Sequence, residues 1–384
     1  MSVVGYAYPW DFDGDPAAAS RAASLGCDVV AVAATYHASR TVSPLHPYRR
    51  VREVTTSASY VPVRPEAWRG RRLVPSAPHT EGNSTFASAA SALGEVGLDV
   101  AAWVVVAHHD ELGLSHPDLV VRNAFGERYS YALCPSSPEV VEYAATLVRE
   151  VVDLTDVESI VLEACGPMGV DHTGVHEKTE FAHWEEVARD LLSICFCDAC
   201  SRALDRRGVD PRELATRVRR GVDDGAPTIG AALGDELASE VWAVRREIGA
   251  TLQSEVIDAA LALRRELNVT LHTSARPLAT GSFPELGSGV VERLAGVVAN
   301  AWDTTTADGE IAALEAAPDR RCEVGAYLRL DRRSEPADAT IDRYRAAGVT
   351  QWHLYHLGLL DRRSLDTARR VVNLATRTVA ESDQ

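Results

Sequence analysis

The sequence contains no long apolar run, and no window approaches the roughly 20 apolar residues that a helix needs to cross a bilayer. Its start, Met1 to Tyr6, shows no basic segment ahead of an apolar one, which a secretory signal would have. Basic residues are also outnumbered, 39 Lys and Arg against 55 Asp and Glu, so the net charge is −16. Nucleic acids and anionic membranes bind basic surfaces, so neither is expected as a partner. We therefore expect a cytoplasmic protein.

Glycine-rich phosphate loops are missing as well. The segment Gly166-Pro167-Met168-Gly169 matches neither the dinucleotide-binding nor the P-loop pattern, so no nucleotide cofactor is expected. Lysine is almost absent, because the basic side chains are arginine except at Lys178. A single retained lysine is a mild indication that its amine has a chemical role.

Apolar segments that alternate with helical patterns are abundant in the 384 residues. Eight of them predict strands at 3–8, 28–35, 98–107, 158–163, 269–272, 297–302, 322–328 and 350–355. This alternation favours one closed (β/α)8 TIM barrel over residues 1–384. Residues 38–83 break the pattern with many prolines and arginines, and predict a loop or hairpin insertion after strand 2 on the active-site face.

Polar and aromatic side chains follow most of these strands. In a barrel of parallel strands, reactive groups lie where strands end and loops begin. Aromatic rings cover the C–H faces of sugars, and carboxylates and imidazoles bond hydroxyl groups. The mixture at these strand ends therefore predicts a carbohydrate site, with a small-molecule or oligosaccharide substrate. Its predicted substrate-binding members are Tyr8, Trp10, Tyr36, His37, His108, His109, Asp110, His272, Trp302 and Tyr355.

A carboxyl group, Glu163, ends the fourth predicted strand after three apolar residues. Apolar surroundings raise the pKa of a carboxyl group, so Glu163 is predicted to act as a general acid. Cleavage of a glycosidic bond needs a second carboxyl group. Asp303 is the first choice, Asp110 the second and Glu177 the third. The alternative for each is a salt bridge or a loop cap.

The loop after strand 4 holds His172, His176, Glu177 and Lys178. One hypothesis places His176, Glu177 and Lys178 in the sugar pocket. A second uses His172, His176 and Glu177 to hold a metal ion, as in barrel hydrolases or lyases that activate water. A third is a barrel that binds sugar without cleaving it. The oligomeric state is not determined by the sequence, and a homo-oligomer is compatible with it.

Three of the seven cysteines lie within six residues, as Cys195-x-Cys197-x2-Cys200. Such spacing suits metal ligation better than a disulfide framework, but structural zinc needs four ligands. Cys134 is the best fourth ligand and Cys165 the alternative. The cysteines could also be reduced and free of metal.

Residues 122–204 carry a recognisable order of motifs. Phe125-Gly126-Glu127-Arg128, Cys134-Pro135-Ser136-Ser137-Pro138, the glutamate ending strand 4 and the cysteine cluster together resemble the family 42 β-galactosidases and related glycosidase-like barrels. The resemblance implies that Cys134, Cys195, Cys197 and Cys200 bind a structural zinc and that Glu163 is the acid/base. This chain has Leu162 where the family has asparagine, and Ala326-Tyr327-Leu328-Arg329 offers no strand 7 glutamate as nucleophile. The resemblance therefore implies a sugar-processing barrel rather than a β-galactosidase.

Overall fold

Eight parallel strands form a closed barrel in a computed structural model that describes residues 1–78, 85–171, 184–317, 321–330 and 338–377. Each strand pairs with its neighbours in chain order, and β1 pairs with both β2 and β8, which closes the sheet. The predicted (β/α)8 fold is thereby confirmed. The strands are β1 (Ser2–Ala7), β2 (Val29–Tyr36), β3 (Asp99–Val105), β4 (Ser159–Glu163), β5 (Asn268–His272), β6 (Gly296–Asn300), β7 (Glu323–Arg329) and β8 (Val349–Tyr355).

The strands are nearly continuous apolar runs because helices cover the outside of the barrel and side chains fill its interior. Residues 30–34 of β2, for example, are fully buried. The interior is aromatic: the ring of Tyr6 contacts Trp103 and Tyr327 edge to face, with each pair of centroids 5.0 Å apart. These rings come from β1, β3 and β7, so the barrel is a packed core and not a pore.

Twelve helices are present in the described part of the chain. They are α1 (Ala18–Ser24), α2 (Phe86–Gly94), α3 (Asp110–Ser115), α4 (Pro138–Leu154), α5 (Glu186–Leu192), α6 (Asp198–Arg206), α7 (Pro211–Asp223), α8 (Ile229–Leu233), α9 (Asp235–Leu263), α10 (Thr304–Glu315), α11 (Asp338–Ala346) and α12 (Arg362–Thr376). Short 3-10 turns cover Pro9–Asp11, Val291–Arg293 and Leu357–Leu359. None of the described helices is long and apolar enough to span a membrane.

The segment after β2 contains a hairpin, in which Ser39–Val42 pairs antiparallel with Val51–Val54. A further short strand, Ala58–Ser59, pairs antiparallel with the end of β2. The sequence pattern predicts a loop over residues 117–132, but a second hairpin, Val120–Arg122 with Arg128–Leu133, lies there. Its turn is held by Asn123, whose side-chain oxygen accepts hydrogen bonds from the backbone amides of Phe125 and Glu127, both at 3.0 Å.

The charged composition of residues 208–231 predicts irregular structure, which is wrong, because α7 and α8 occupy most of this segment. The side chain of Asp210 caps α7, and Pro211 is its first residue. Leu214, Val218 and Gly221 are buried at helical spacing against the neighbouring helices. Arginines on the exposed face hid this narrow apolar stripe from the sequence analysis.

An ion pair attaches the segment after β2 to the outer face of the barrel, and it can be tested. Arg64 donates to buried Glu150 at 2.6 and 2.8 Å and to Asp153 at 2.6 Å. We expect Arg64→Met to lower the free energy of unfolding by about 2–3 kcal/mol, because Glu150 would stay buried without a partner. Arg40→Met, which breaks the exposed pair with Glu53, is the matched control and should cost under about 0.5 kcal/mol in urea unfolding. Equal losses would contradict this account.

Candidate active site

Glu163 is the last residue of β4 and lies at the carboxyl end of the barrel. It is only 7% exposed. The indole nitrogen of Trp103 donates to its Oε2 at 2.8 Å, and the hydroxyl of Ser282 also donates to the carboxyl group. Burial raises the pKa of Glu163 to about 7, although both hydrogen bonds act to lower it. Near neutral pH this carboxyl group therefore exists in both protonation states.

His272, the last residue of β5, lies beside this carboxyl group. Its Nδ1 is 3.6 Å from Oε2 of Glu163, and its Nε2 is 2.7 Å from the hydroxyl of Tyr6. The ring stacks on Phe283, with centroids 4.6 Å apart. Burial, with a smaller contribution from His353, lowers the pKa of His272 well below its ordinary value. The imidazole is therefore neutral.

Three phenol hydroxyls meet at the mouth of the barrel. Tyr8 follows β1, Tyr36 ends β2 and Tyr355 ends β8. The hydroxyl of Tyr8 donates to Tyr36 at 2.9 Å and lies 3.3 Å from the hydroxyl of Tyr355. Burial raises the pKa of all three phenols, and the charge of Glu163 raises those of Tyr36 and Tyr355 further. They therefore stay protonated, which suits hydrogen bonding and excludes a phenolate nucleophile at neutral pH.

The two tryptophans predicted at the site have different surroundings. Trp10 is buried and stacks on Tyr8 with centroids 4.4 Å apart, so it supports the phenol cluster from behind. Trp302 is partly exposed and stacks on Tyr327 at 5.8 Å. The guanidinium of Arg329 lies 5.1 Å from the centre of the Trp302 ring. Trp302 is thus the better placed of the two to offer a face to a ligand.

The predicted residues at the ends of β2 and β3 are divided between the mouth and local structure. The ring of His37 stacks on His108 at 4.1 Å and on Tyr36 at 4.2 Å, which extends the aromatic cluster. His109 is a buried N-cap of α3, and its Nδ1 accepts from the amide of Leu112 at 3.2 Å. Asp110 begins α3, and its carboxylate accepts from Ser57 at 3.3 Å. The last two contacts organise the loop.

Asp303 has a different position from the one predicted, because β6 ends earlier, at Asn300. Asp303 is exposed and caps α10, accepting from the amide and the hydroxyl of Thr305 at 2.9 and 2.7 Å. These hydrogen bonds lower the pKa of its carboxyl group. Its geometry is that of a helix cap, which is the alternative to a catalytic role that the sequence offers. His172, His176, Glu177 and Lys178 lie outside the described residues.

Several residues of the site were missed in the sequence. A second buried carboxyl, Asp11, holds the loop after β1 by accepting from the amide of Tyr8 at 2.8 Å, and burial raises its pKa to about 7. Tyr6 and His353 stand two positions before Tyr8 and Tyr355, so a period of two along each strand was the available signal. Trp103 was concealed within the apolar run of β3.

The four cysteines Cys134, Cys195, Cys197 and Cys200 form a buried group, and their sulfur atoms all lie within 4.8 Å of one another. The sulfur of Cys134 is 3.5 Å from that of Cys200 and 3.6 Å from that of Cys197. These separations are too long for a disulfide, which needs about 2.05 Å. They approach the edge of about 3.8 Å that a tetrahedron of sulfurs has around zinc at about 2.3 Å. The group could therefore hold a metal ion, with Cys134 rather than Cys165 as the fourth ligand.

The contacts and charge of Arg245, which lies beside the cysteines, indicate whether the site fits such an ion. Its buried guanidinium donates to the carbonyl of Ser193 at 2.7 Å, while its Nε and Nη2 have no partner in the part of the chain that is described. It lines a cavity of about 20 Å³ together with Cys134, Cys195 and Cys200. Burial lowers the pKa of Arg245, and the neighbouring thiols, Cys200 first, act to raise it. Four thiolates around a divalent cation carry a net charge of −2, which this cation would partly offset, so the residues fit.

Comparison with solved structures places the barrel among known folds. The glycoside hydrolase domain of PgaB (BpsB) from Bordetella bronchiseptica superposes with a TM-score of 0.60 at 14% identity, over 98% of this chain and 100% of that one. Alpha-L-fucosidase isoenzyme 2 from Paenibacillus thiaminolyticus gives 0.57 at 14% identity, over 97% of this chain and 49% of that one. The β-galactosidase from Marinomonas ef1 gives 0.56 at 10% identity, over 97% and 59%. The chain shares the barrel fold of glycoside hydrolases.

These likenesses establish the fold alone, since the identities are low. The chain spans about half the length of the fucosidase that it matches. No protein-family model matches the sequence, and no curated protein matches it either.

The raised pKa of Glu163 predicts a pH-dependent stability. A carboxyl group whose pKa rises from 4.5 to about 7 on folding stabilises the folded state below pH 4.5, and this contribution is lost as the pH rises through 7. Between pH 4 and 8 the wild type should therefore lose about 3 kcal/mol relative to Glu163→Gln, whose amide does not titrate. Urea unfolding of both proteins across this range measures the difference, in which the contribution of Asp11 cancels. A constant difference would show that Glu163 titrates normally.

Proposed function

We propose that this protein is a glycoside hydrolase in which Glu163 is the general acid that protonates the leaving oxygen of a glycosidic bond. The observation that carries the proposal is a buried carboxyl group with a pKa of about 7 at the carboxyl end of β4. A general acid works best when its pKa lies near the working pH, because it is then protonated yet able to release its proton. Strand ends at this face are where barrel enzymes place reacting groups.

The surroundings of Glu163 suit a sugar. The hydroxyls of Tyr8, Tyr36 and Tyr355 can donate to or accept from the hydroxyl groups of a sugar ring. Trp302 can cover its apolar C–H face. As the glycosidic bond breaks, positive charge develops on the sugar ring. The electron-rich faces of the tyrosine and tryptophan rings stabilise that charge.

We propose that the second carboxyl group of the reaction is that of Asp110 or Glu177, the two other candidates from the sequence. In the described part of the chain, the groups that contact Glu163 are an indole, a hydroxyl and an imidazole. A separation of about 5 Å between the two carboxyl groups goes with retention of configuration, and about 6.5–9.5 Å goes with inversion.

Replacement of Glu163 by glutamine is the direct test. We expect turnover of alkyl glycosides or oligosaccharides to fall by about 10²–10⁴, because glutamine cannot donate the proton. Aryl glycosides with acidic leaving groups should lose much less, since such groups leave without protonation. In the wild type, kcat should decline as the pH rises through about 7, where Glu163 becomes ionised. Steady-state kinetics on a glycoside panel, together with sugar binding by calorimetry, measures these effects.

Asp303→Asn is the matched control, because asparagine also caps helices well. We expect its turnover to stay within about threefold of the wild type. If Glu163→Gln keeps full turnover, the assignment of the acid is wrong. If neither the wild type nor Glu163→Gln turns over any glycoside while both bind sugar equally, the barrel is a binding protein.

We propose further that Cys134, Cys195, Cys197 and Cys200 hold a structural zinc ion. All four thiols are buried, and the Arg245 donors that no described residue pairs with favour the negative charge of a thiolate site. Bound there, zinc would join the segment before α4 to the start of α6. It would have no part in proton transfer.

We expect elemental analysis to find about one zinc per wild-type chain and none in Cys197→Ser. Thermal unfolding of that variant should occur at a clearly lower temperature, because the binding free energy of a structural metal contributes to folding. Cys27→Ala, a buried cysteine outside the cluster, is the control and should keep its zinc. Metal-free wild type with unchanged stability would contradict the proposal. A second ion needed for turnover would favour the alternative of a metal-dependent hydrolase or lyase.

A further inference from the structure

A chain of hydrogen-bonded side chains runs through the barrel, from a position beside Glu163 to the opposite end of the barrel. Nδ1 of His272 lies 3.6 Å from Glu163, and Nε2 of the same ring is 2.7 Å from the hydroxyl of Tyr6. That hydroxyl is 2.9 Å from Nδ1 of His353, whose Nε2 is 3.3 Å from the side-chain oxygen of Gln351. This chain of hydrogen bonds therefore begins at the active-site face and continues through the interior of the barrel.

Its lower end is an exposed carboxylate. The side-chain nitrogen of Gln351 donates to Glu323 at 2.5 Å, and Glu323 is the first residue of β7. Since β7 runs toward the active-site face, Glu323 lies at the amino-terminal end of the barrel. The buried part of the chain thus connects the proposed acid with solvent on the far side.

The direction of every hydrogen bond in this chain follows from Glu323. An ionised carboxylate can only accept, so Gln351 must present its amide NH₂ group to Glu323 and its oxygen to His353. His353 must then carry its proton on Nε2. Because burial lowers the pKa of His353 to about 3, the ring is neutral and its Nδ1 is a bare acceptor.

The same argument fixes the upper half. Tyr6 must donate its single hydroxyl proton to the bare Nδ1 of His353, so its oxygen accepts from Nε2 of His272. His272 is neutral as well, because burial lowers its pKa. Its Nδ1 is therefore an unprotonated acceptor, and this buried atom has no hydrogen-bond partner among the residues that the structure describes. It lies toward the carboxyl group of Glu163.

Two glycines make room for this arrangement. A Cβ atom at Gly325 would lie 2.9 Å from Cδ2 of His353, and one at Gly296 would lie 2.7 Å from the side-chain oxygen of Gln351. Both distances are shorter than carbon contacts allow, so any larger residue would displace the ring or the amide. The backbone of β6 and β7 thus leaves space for the lower half of the chain.

We propose that this one-directional chain, His272–Tyr6–His353–Gln351–Glu323, holds Glu163 in its protonated form by presenting to it a nitrogen that can only accept. A protonated Glu163 can donate toward Nδ1 of His272, whereas an ionised one meets a lone pair at 3.6 Å. To favour ionised Glu163, every bond of the chain must reverse, and Gln351 must turn its oxygen toward a carboxylate. Glu323 opposes that reversal. In this proposal the five residues are positioning residues and touch no substrate.

The other titratable groups that face Glu163 do not supply this effect. In the described part of the chain they are the phenols of Tyr6, Tyr36, Tyr327 and Tyr355, from β1, β2, β7 and β8, and Glu163 raises the pKa of each beyond the effect of burial. All are therefore neutral at the pH where Glu163 titrates. Trp103 and Ser282 donate to the carboxyl group and favour its ionised form. His272 is the neighbour whose effect depends on its tautomer.

The test is Glu323→Gln, which removes the accept-only partner and lets Gln351 turn. We expect the pKa of Glu163, followed as the carboxyl signal in infrared titration and assigned with Glu163→Gln, to fall by about one unit, tenfold in proton affinity. Nitrogen NMR should find both His272 and His353 protonated on Nε2 in the wild type. In the variant, a fraction of His272 should carry its proton on Nδ1. Glu323 is exposed, so folding is not at stake.

Glu158→Gln is the matched control, because Glu158 is an exposed carboxylate immediately before β4 at the same end of the barrel. It should leave the pKa of Glu163 unchanged. Tyr6→Phe cuts the chain in its middle, so adding Glu323→Gln to it should cause no further shift. An equal shift in the Glu158 variant, no shift in Glu323→Gln, or a wild-type His272 protonated on Nδ1 would each overturn the proposal.

The inference concerns the acid of the function proposed above, but its test needs no turnover. If Glu163→Gln keeps its activity while Glu323→Gln shifts the titration, the hydrolase mechanism is wrong and the chain of bonds is right. If Glu163→Gln loses its activity while Glu323→Gln does not shift the titration, the hydrolase mechanism stands and the proposed chain of hydrogen bonds is wrong.

Discussion

Removal of one carboxyl group from water is the constraint around which this barrel is built. An ionised glutamate among aromatic rings loses its hydration, and two hydrogen-bond donors from the protein recover only part of that loss. The rings around Glu163 are therefore more than a surface for a ligand. They set the proton affinity of the carboxyl group, and the phenols of Tyr36 and Tyr355 remain protonated for the same reason. The packing of these rings therefore also determines the acid–base chemistry of the site.

Closure of the sheet makes this arrangement available. The side chains around Glu163 come from β1, β2, β3, β5, β7 and β8, and positions far apart in the chain meet because parallel strands present their ends on the same rim. The interior below the rim is filled by Tyr6, His272 and His353, which bond to one another. A buried polar network of this kind is tolerated when its members are mutually satisfied. Within the described ranges, the one atom of these three side chains that lacks a partner is Nδ1 of His272, which faces the carboxyl group.

The sequence was informative about what each strand does alone and poor about what the strands do together. An apolar run ending in a glutamate was enough to predict β4 and Glu163 at its end. The run of β3 gave no sign that the indole of Trp103, which pairs with Val161 of β4, reaches the carboxyl group of Glu163 two positions further along that strand, because this depends on the stagger between strands. Asp303 shows the reverse case, since an aspartate before three threonines satisfies both a strand-end and a helix-cap pattern. Local propensity, not spacing, decided between them.

The position of the cysteine cluster has a consequence for how the chain is assembled during synthesis. Cys134 and Cys200 enclose α4 and β4, so the four sulfur atoms can meet only after residue 200 has been made. By then β1 to β4 are complete, while β5 to β8 do not yet exist. Capture of an ion at that moment would close a long loop and fix the first half-barrel before the second half emerges from the ribosome. The open edge of β4 would then be a ready template for β5, and the ring would be completed from a preformed half.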